Sequence, residues 1–253
     1  MKFIYSLQSE LLKIKGSSLF WLSIFGSLLI PIVFLLRFIF LHIDINLWHS
    51  KDNVWMPLFL QVCRPFTGFL LPIGTIMICS LIAQVEYKNN NWKQVHVTPQ
   101  SYTTIFFAKY TALLILSVQV FVFLNIGVII LGVVPCLIFG DGLPKDSIPF
   151  LFFFKESLKS FICCLPIIAL QYLLSLKFKN FLIAIGSGIT LYVGTMLALK
   201  IEVSYISPYS YALYYFDHKR IFSHTQNYSI ALFYFVILTI INYFLYITKK
   251  EKG

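Results

Sequence analysis

The chain has 253 residues, of which 58% are hydrophobic and 12% charged, and its mean hydropathy is +0.81. A soluble domain of this length cannot bury so much apolar surface, so most of the chain must face lipid or other spanning helices. The formal charge of +10 does not read as a nucleic-acid surface, because the lysines sit at the ends of apolar runs, where they anchor beside anionic headgroups.

In chain order, the first segment reads as an amphipathic helix rather than a cleaved signal. Phe3, Ile4, Leu7, Leu11 and Ile14 share one arc of a helical wheel, while Lys2, Ser6, Ser9, Glu10 and Lys13 share the other. Such a helix lies in the headgroup plane ahead of a first span. That span runs from Leu19 to Leu41, with Pro31 and Arg37 inside it, and has no small-residue cleavage site. Residues 42–65 are polar and aromatic and are expected outside. A second span, Phe66–Val85, carries Gly68, Pro72 and Gly74.

Residues 84–99 form a polar island between long apolar runs. Lys88 and Lys93 within it, with Lys109 beyond, argue for the cytoplasmic side. Glu86 and Lys93 share a stripe of a short helix, with Val85 and Trp92 beside it. The residues alone leave two readings open, a docking surface for a soluble partner or an ordinary solvated connector.

A third span, Ile105–Val134, holds Gln119 and Asn125; the turn at Asp141-Gly142-Leu143-Pro144 returns the chain. Phe150–Phe154 is expected at the interface, ahead of a fourth span, Phe161–Leu176, with Pro166 and Gln171. Lys177-Phe178-Lys179-Asn180 makes a basic inner turn. The fifth span, Phe181–Leu199, has the small-residue pairs Ala184/Gly188 and Gly194/Ala198, which favour close helix approach. Residues 200–228 crowd tyrosines around Pro208 and read as an outer re-entrant or interfacial hairpin with hydroxyls at headgroup level. The last span, Ser229–Ile247, contains Asn242 and ends in the basic tail Lys249-Lys250-Glu251-Lys252. The expected architecture is therefore one all-α integral membrane domain over residues 1–253. It has six transmembrane helices, an interfacial helix (1–17), a cytoplasmic loop (84–100) and an outer segment (200–228), with both termini cytoplasmic.

Catalytic patterns are missing from the sequence. It has no Gly-x-x-x-x-Gly-Lys-Ser/Thr phosphate loop, no His-Glu-x-x-His and no Gly-x-Ser-x-Gly. The cysteines have no metal spacing, and a bridge between Cys63 and Cys136 near the outer face stays open. Carboxylates lie almost wholly outside the spans, against a proton-coupled carrier. Gln119, Asn125, Gln171 and Asn242 either line a substrate path or bond across helix contacts.

Four segments carry a family likeness: Ser9-Glu10-Leu11-Leu12-Lys13-Ile14-Lys15 leading into Leu19-Phe20-Trp21, Glu86-Tyr87 through Trp92-Lys93 to Thr98-Pro99, Gln171 through Phe181, and Ser207-Pro208-Tyr209-Ser210-Tyr211. Together they resemble the permeases of the ABC-2-type (type V) exporters, in particular those of the lantibiotic and bacteriocin immunity group. The resemblance implies an elbow helix with Glu10 and Lys13, and a coupling helix that contacts an ATPase through Glu86, Tyr87, Trp92, Lys93, Thr98 and Pro99. It also implies a second permease, identical or homologous, and a dimer of separate nucleotide-binding subunits that hold ATP and magnesium, this chain binding no cofactor itself. The setting it implies is a prokaryotic cytoplasmic membrane and the cargo an amphiphilic peptide or lipid. Spans one, two and five would then form the subunit contact and the path. Two other classes are an ATP-independent carrier or structural membrane subunit, and a membrane-embedded enzyme. The first would show inverted repeats and a midplane charge, the second paired acid–base residues within spans.

Overall fold

The computed structural model describes residues 2–41, 54–87, 100–139, 147–178, 180–199, 201–214 and 224–248. All regular structure among them is helical. Helix α1 (Lys2–Ile14) ends at Gly16, whose φ of 78° suits a residue without a Cβ, and the chain restarts as α2 (Ser18–Leu41). Helix α3 (Trp55–Pro65), a π turn (Phe66–Leu70) and α4 (Leu71–Tyr87) follow without a break. Helices α5 (Tyr102–Phe139) and α6 (Phe150–Lys177) are long. Helix α7 (Phe181–Ala198) is capped by the Asn180 side chain, which accepts from the Leu182 N–H at 3.0 Å. A 3-10 turn (Glu202–Ile206), the short α8 (Ser210–Tyr214) and α9 (His224–Thr248) complete the described chain.

Among the described residues, six helical stretches are long and apolar enough to cross a membrane: α2, α3–π–α4, α5, α6, α7 and α9. The second span departs from expectation by starting at Trp55 rather than Phe66. Pro57, Gln61 and Arg64 interrupt its apolar run. Trp55, Leu58, Phe59, Val62 and Cys63 nevertheless recur at helical spacing and are all buried. The fourth span likewise starts at Phe150 rather than Phe161. Phe153, expected at the interface, is buried and stacks on Phe59 at 4.9 Å between ring centroids. Helix α5 has 38 residues, about 57 Å at 1.5 Å per residue, so it outruns a hydrocarbon core ~30 Å thick.

Helix α2 packs along α5, α6 packs between α4 and α9, α7 leans on α4, and α1 lies across α5. Glycines on α5 let α2 and α3 come close. A Cβ on Gly127 would stand 2.7 Å from the Pro31 ring, and one on Gly132 would stand 2.5 Å from the Trp55 indole. Helix α7 turns Ala184, Gly188, Tyr192 and Thr195 inward at helical spacing. Gly194, of the other small-residue pair, points outward. The Cys63–Cys136 bridge that the sequence left open does not form: Cys63 is a free buried thiol, and the Cys136 thiol donates to the Gly132 carbonyl at 3.3 Å.

Candidate functional site

The end of the bundle that carries α1 is built around one buried ion pair. Lys109, in the second turn of α5, has a side chain only 2% exposed, and its ammonium lies 3.7 Å from a Glu10 carboxylate oxygen. A desolvated ammonium needs a counter-charge, and Glu10 supplies it. The wheel arrangement expected from the sequence is thereby altered. Glu10 and Ser6 turn towards the bundle, while Phe3, Ile4, Tyr5 and Leu12 stay exposed. Lys13 closes on the same carboxylate at 2.7 Å. Ile14, Leu19, Ile82 and Ala112 surround the pair. Ile82 is near the end of α4 and Lys109 near the start of α5, so the helix ends that bracket residues 88–99 meet α1 here.

Behind Lys109 stands an aromatic cluster. Phe106 lies 5.5 Å from both Tyr243 and Tyr246 and 6.0 Å from Tyr172, and Tyr110 lies 5.4 Å from Tyr172. Two hydroxyl pairs, Tyr110 with Thr239 at 2.8 Å and Thr103 with Tyr243 at 3.0 Å, tie α5 to α9.

Of the expected coupling residues, Glu86 and Tyr87 fall in the last turn of α4, which extends beyond the Val85 boundary expected for the second span. Trp92, Lys93, Thr98 and Pro99 lie outside the described residues.

The four amide residues singled out within the spans each donate across a helix contact. Gln119 reaches the Ser23 hydroxyl on α2 at 3.1 Å, and Asn125 reaches Ser157 on α6 at 2.8 Å. Asn242, on α9, donates to the Ala169 carbonyl at 2.8 Å. Gln171, on α6, is fully buried and joins its helix to α4, α7 and the turn before α8. Its amide donates to Ser80 on α4 at 3.1 Å and to the Ala184 carbonyl on α7 at 2.9 Å, while its oxygen accepts from the Tyr209 hydroxyl at 3.2 Å. Tyr209 and Tyr211 therefore stand in the protein interior, both 0% exposed. The Tyr211 hydroxyl donates to the Tyr205 carbonyl at 2.7 Å, and Tyr205 stacks on Tyr214 at 4.5 Å.

One further contact has a covalent cause. In an α-helical ladder the Gly68 carbonyl would accept from residue 72, which is proline and has no N–H. The chain forms a π turn there, and the Tyr192 hydroxyl of α7 donates to that carbonyl. Beside the π turn, α2 and α4 are separated by an apolar groove of about 410 Å³, floored by Ser117 and Val120 of α5 and Cys164 of α6.

Among the described residues no group of His, Cys, Asp or Glu could hold a metal ion. A bundle with six candidate spans among the described residues, joined by buried amides and the Glu10–Lys109 ion pair, defines a multi-pass integral membrane protein. The family model described as "ABC-2 family transporter protein" matches residues 6–197, from α1 to the end of α7, and the chain belongs to that family. It is the membrane permease component of an ABC-2 type transporter, a domain that carries no ATPase site and works with ABC ATPase subunits. No protein of curated function matches it.

Proposed function

We propose that this chain is the permease of an ATP-driven exporter that moves an amphiphilic cargo, a bacteriocin-like peptide or a lipid, across or out of a prokaryotic cytoplasmic membrane. Both termini face the cytoplasm. Two permeases, identical or homologous, pair through spans one, two and five. A dimer of separate ATPase subunits, which holds ATP and magnesium, docks on the segment from Glu86 to Lys93 and on to Thr98-Pro99. Helix α1 lies in the headgroup plane with Phe3, Ile4, Tyr5 and Leu12 towards lipid, and residues 201–214 re-enter from the outer side.

The observation that carries this reading is the Glu10–Lys109 junction. It joins α1 to the two helix ends that bracket the docking segment, so a force applied there reaches spans one, two and three together. Closure of the ATPase dimer switches the permease only through contacts that differ between its two conformations, and a rigid junction transmits that difference. The test is purification of the tagged full chain from detergent, with Trp92→Ala plus Glu86→Lys as the variant. A soluble ATPase with Walker motifs is expected with the wild-type chain and is expected to be lost with the variant. Co-purification and substrate-stimulated turnover that both survive in the variant would overturn the docking assignment.

A further inference from the structure

The Glu10–Lys109 pair lies beside a small cleft. The cleft is about 20 Å³ in volume and is walled by Ile14 of α1, Leu19 of α2, Ile82 of α4 and Ala112 of α5, together with Glu10, Lys13 and Lys109. A water molecule needs ~10–15 Å³ of such space and two to four polar partners. The cleft meets both conditions and is too small for anything much larger.

The hydrogen bonding of Glu10 points to the same occupant. Lys13 and Lys109 both lie against one carboxylate oxygen, Oε1, at 2.7 and 3.7 Å. The first distance is that of a charge-assisted hydrogen bond, and the second is wider than one. Among the described residues no group donates to the other oxygen, Oε2. An ionised carboxylate has about four acceptor sites, and the Glu10 side chain is only 14% exposed, so bulk solvent reaches little of it. A single water can accept from the Lys109 ammonium and donate to Glu10, the usual way in which polar groups more than ~3.5 Å apart are joined.

The surrounding charges select water over an ion. A metal cation would face two ammonium groups, and an anion would face the Glu10 carboxylate. The residues that reach the cleft from α2 and α4 are the apolar Leu19 and Ile82, which leave that balance as it stands. Water alone offers a donor to the carboxylate and lone pairs to the ammonium groups.

We infer that one bound water is the third member of this junction and bridges α1 to α5 between Glu10 and Lys109. This rests on the geometry of the junction and not on the docking of an ATPase, so its failure would leave the coupling reading standing. Hydroxyl radicals made by an X-ray pulse come from water, and a bound water oxidises the side chains it touches even where bulk solvent does not reach. The full-length permease is irradiated in lipid nanodiscs, and the oxidised residues are mapped by mass spectrometry. Leu19 and Ile82 are expected to be modified several-fold faster than Leu131 and Ile30, which are similarly buried but stand away from the cleft. Ala112→Val adds two carbon atoms to the wall, which take the room of a single water, and should bring both rates down to those of the controls. The melting temperature reports whether that variant is folded. Equal rates for the two pairs in the wild-type chain overturn the inference whatever the variant does. So does excess oxidation that persists in a folded Ala112→Val protein, or that arises only once chloride is exchanged for gluconate, which would make an anion the occupant.

Discussion

Replacing Gln171 with Met keeps the length and much of the volume of the side chain but removes all its hydrogen bonds. Three bonds end on this amide, to Ser80, the Ala184 carbonyl and the Tyr209 hydroxyl. Hydrogen bonds between helices in lipid are worth about 0.6 kcal/mol on average and at most about 1.7 kcal/mol, so three together amount to about 2 kcal/mol. The Ala184 carbonyl keeps the Ser187 hydroxyl as a donor at 3.0 Å, which places the loss mainly on Ser80 and Tyr209. Tyr209→Phe removes a single bond and is expected to cost about 1 kcal/mol. Because Tyr209 and Gln171 share that bond, the double variant should be less unstable than the sum of the single ones, by about 0.6–1.7 kcal/mol. Reversible unfolding of the reconstituted permease by steric trapping measures all four corners of this cycle. Additivity to within about 0.5 kcal/mol would mean that the Tyr209–Gln171 bond does not hold residues 201–214 to the bundle.

Other perturbations have signs set by the same geometry. Gly132→Ala forces a Cβ to 2.5 Å from the buried Trp55 ring, so thermal unfolding in detergent should show a loss of about 1–3 kcal/mol, whereas Gly26→Ala, beside open space, should be neutral or stabilising by up to about 1 kcal/mol. Glu10→Leu takes the counter-charge from Lys109 and should loosen α1 at a cost of about 3 kcal/mol, visible as faster hydrogen exchange across Phe3–Ile14; Lys109→Met should cost less, because Glu10 keeps Lys13 at 2.7 Å. Tyr192→Phe strips the Gly68 carbonyl of its hydroxyl donor and should cost about 1 kcal/mol, read in the same unfolding assay, with the loss diminished if residue 72 is made alanine and the helical bond can form.

Span number was legible because length and hydropathy decide it, and neither depends on tertiary contacts. Span edges were less so. Trp55–Pro65 looks outer by average hydropathy because of Pro57, Gln61 and Arg64, yet its apolar residues at 55, 58, 59, 62 and 63 mark a helix face that a periodicity reading exposes. Lys109 offered a fainter signal, a lone cation a few residues inside an apolar run. Nothing local pairs it with Glu10, since that contact joins residues about a hundred positions apart through the docking of α1. The burial of Tyr209 was hidden in the sequence for a related reason. Its amphipathic ring suits an interface, and only the position of Gln171 inside the bundle turns it inward.

Within a bilayer, lipid tails are as apolar as leucine, so burying leucine between helices supplies little drive to associate. That shifts the burden in this permease onto close approach and hydrogen bonds, and the spans divide accordingly. The outward sides of α7 and α9 are almost wholly apolar, and far less of either helix is buried than of α6. What fixes α7 is a small-residue stripe along with the Tyr192–Gly68 and Gln171–Ala184 bonds. What fixes α9 is Asn242 on Ala169 and the hydroxyl pairs Tyr110–Thr239 and Thr103–Tyr243. Each of these anchors ends on α3–π–α4, α5 or α6, or on α7 itself, so those three spans form the frame to which the peripheral helices are attached. The anchors on Gly68 and Gln171 stand close to the groove and to residues 201–214 respectively. A displacement of α7 therefore cannot leave both the π turn and the tyrosine segment unchanged, whatever force moves it.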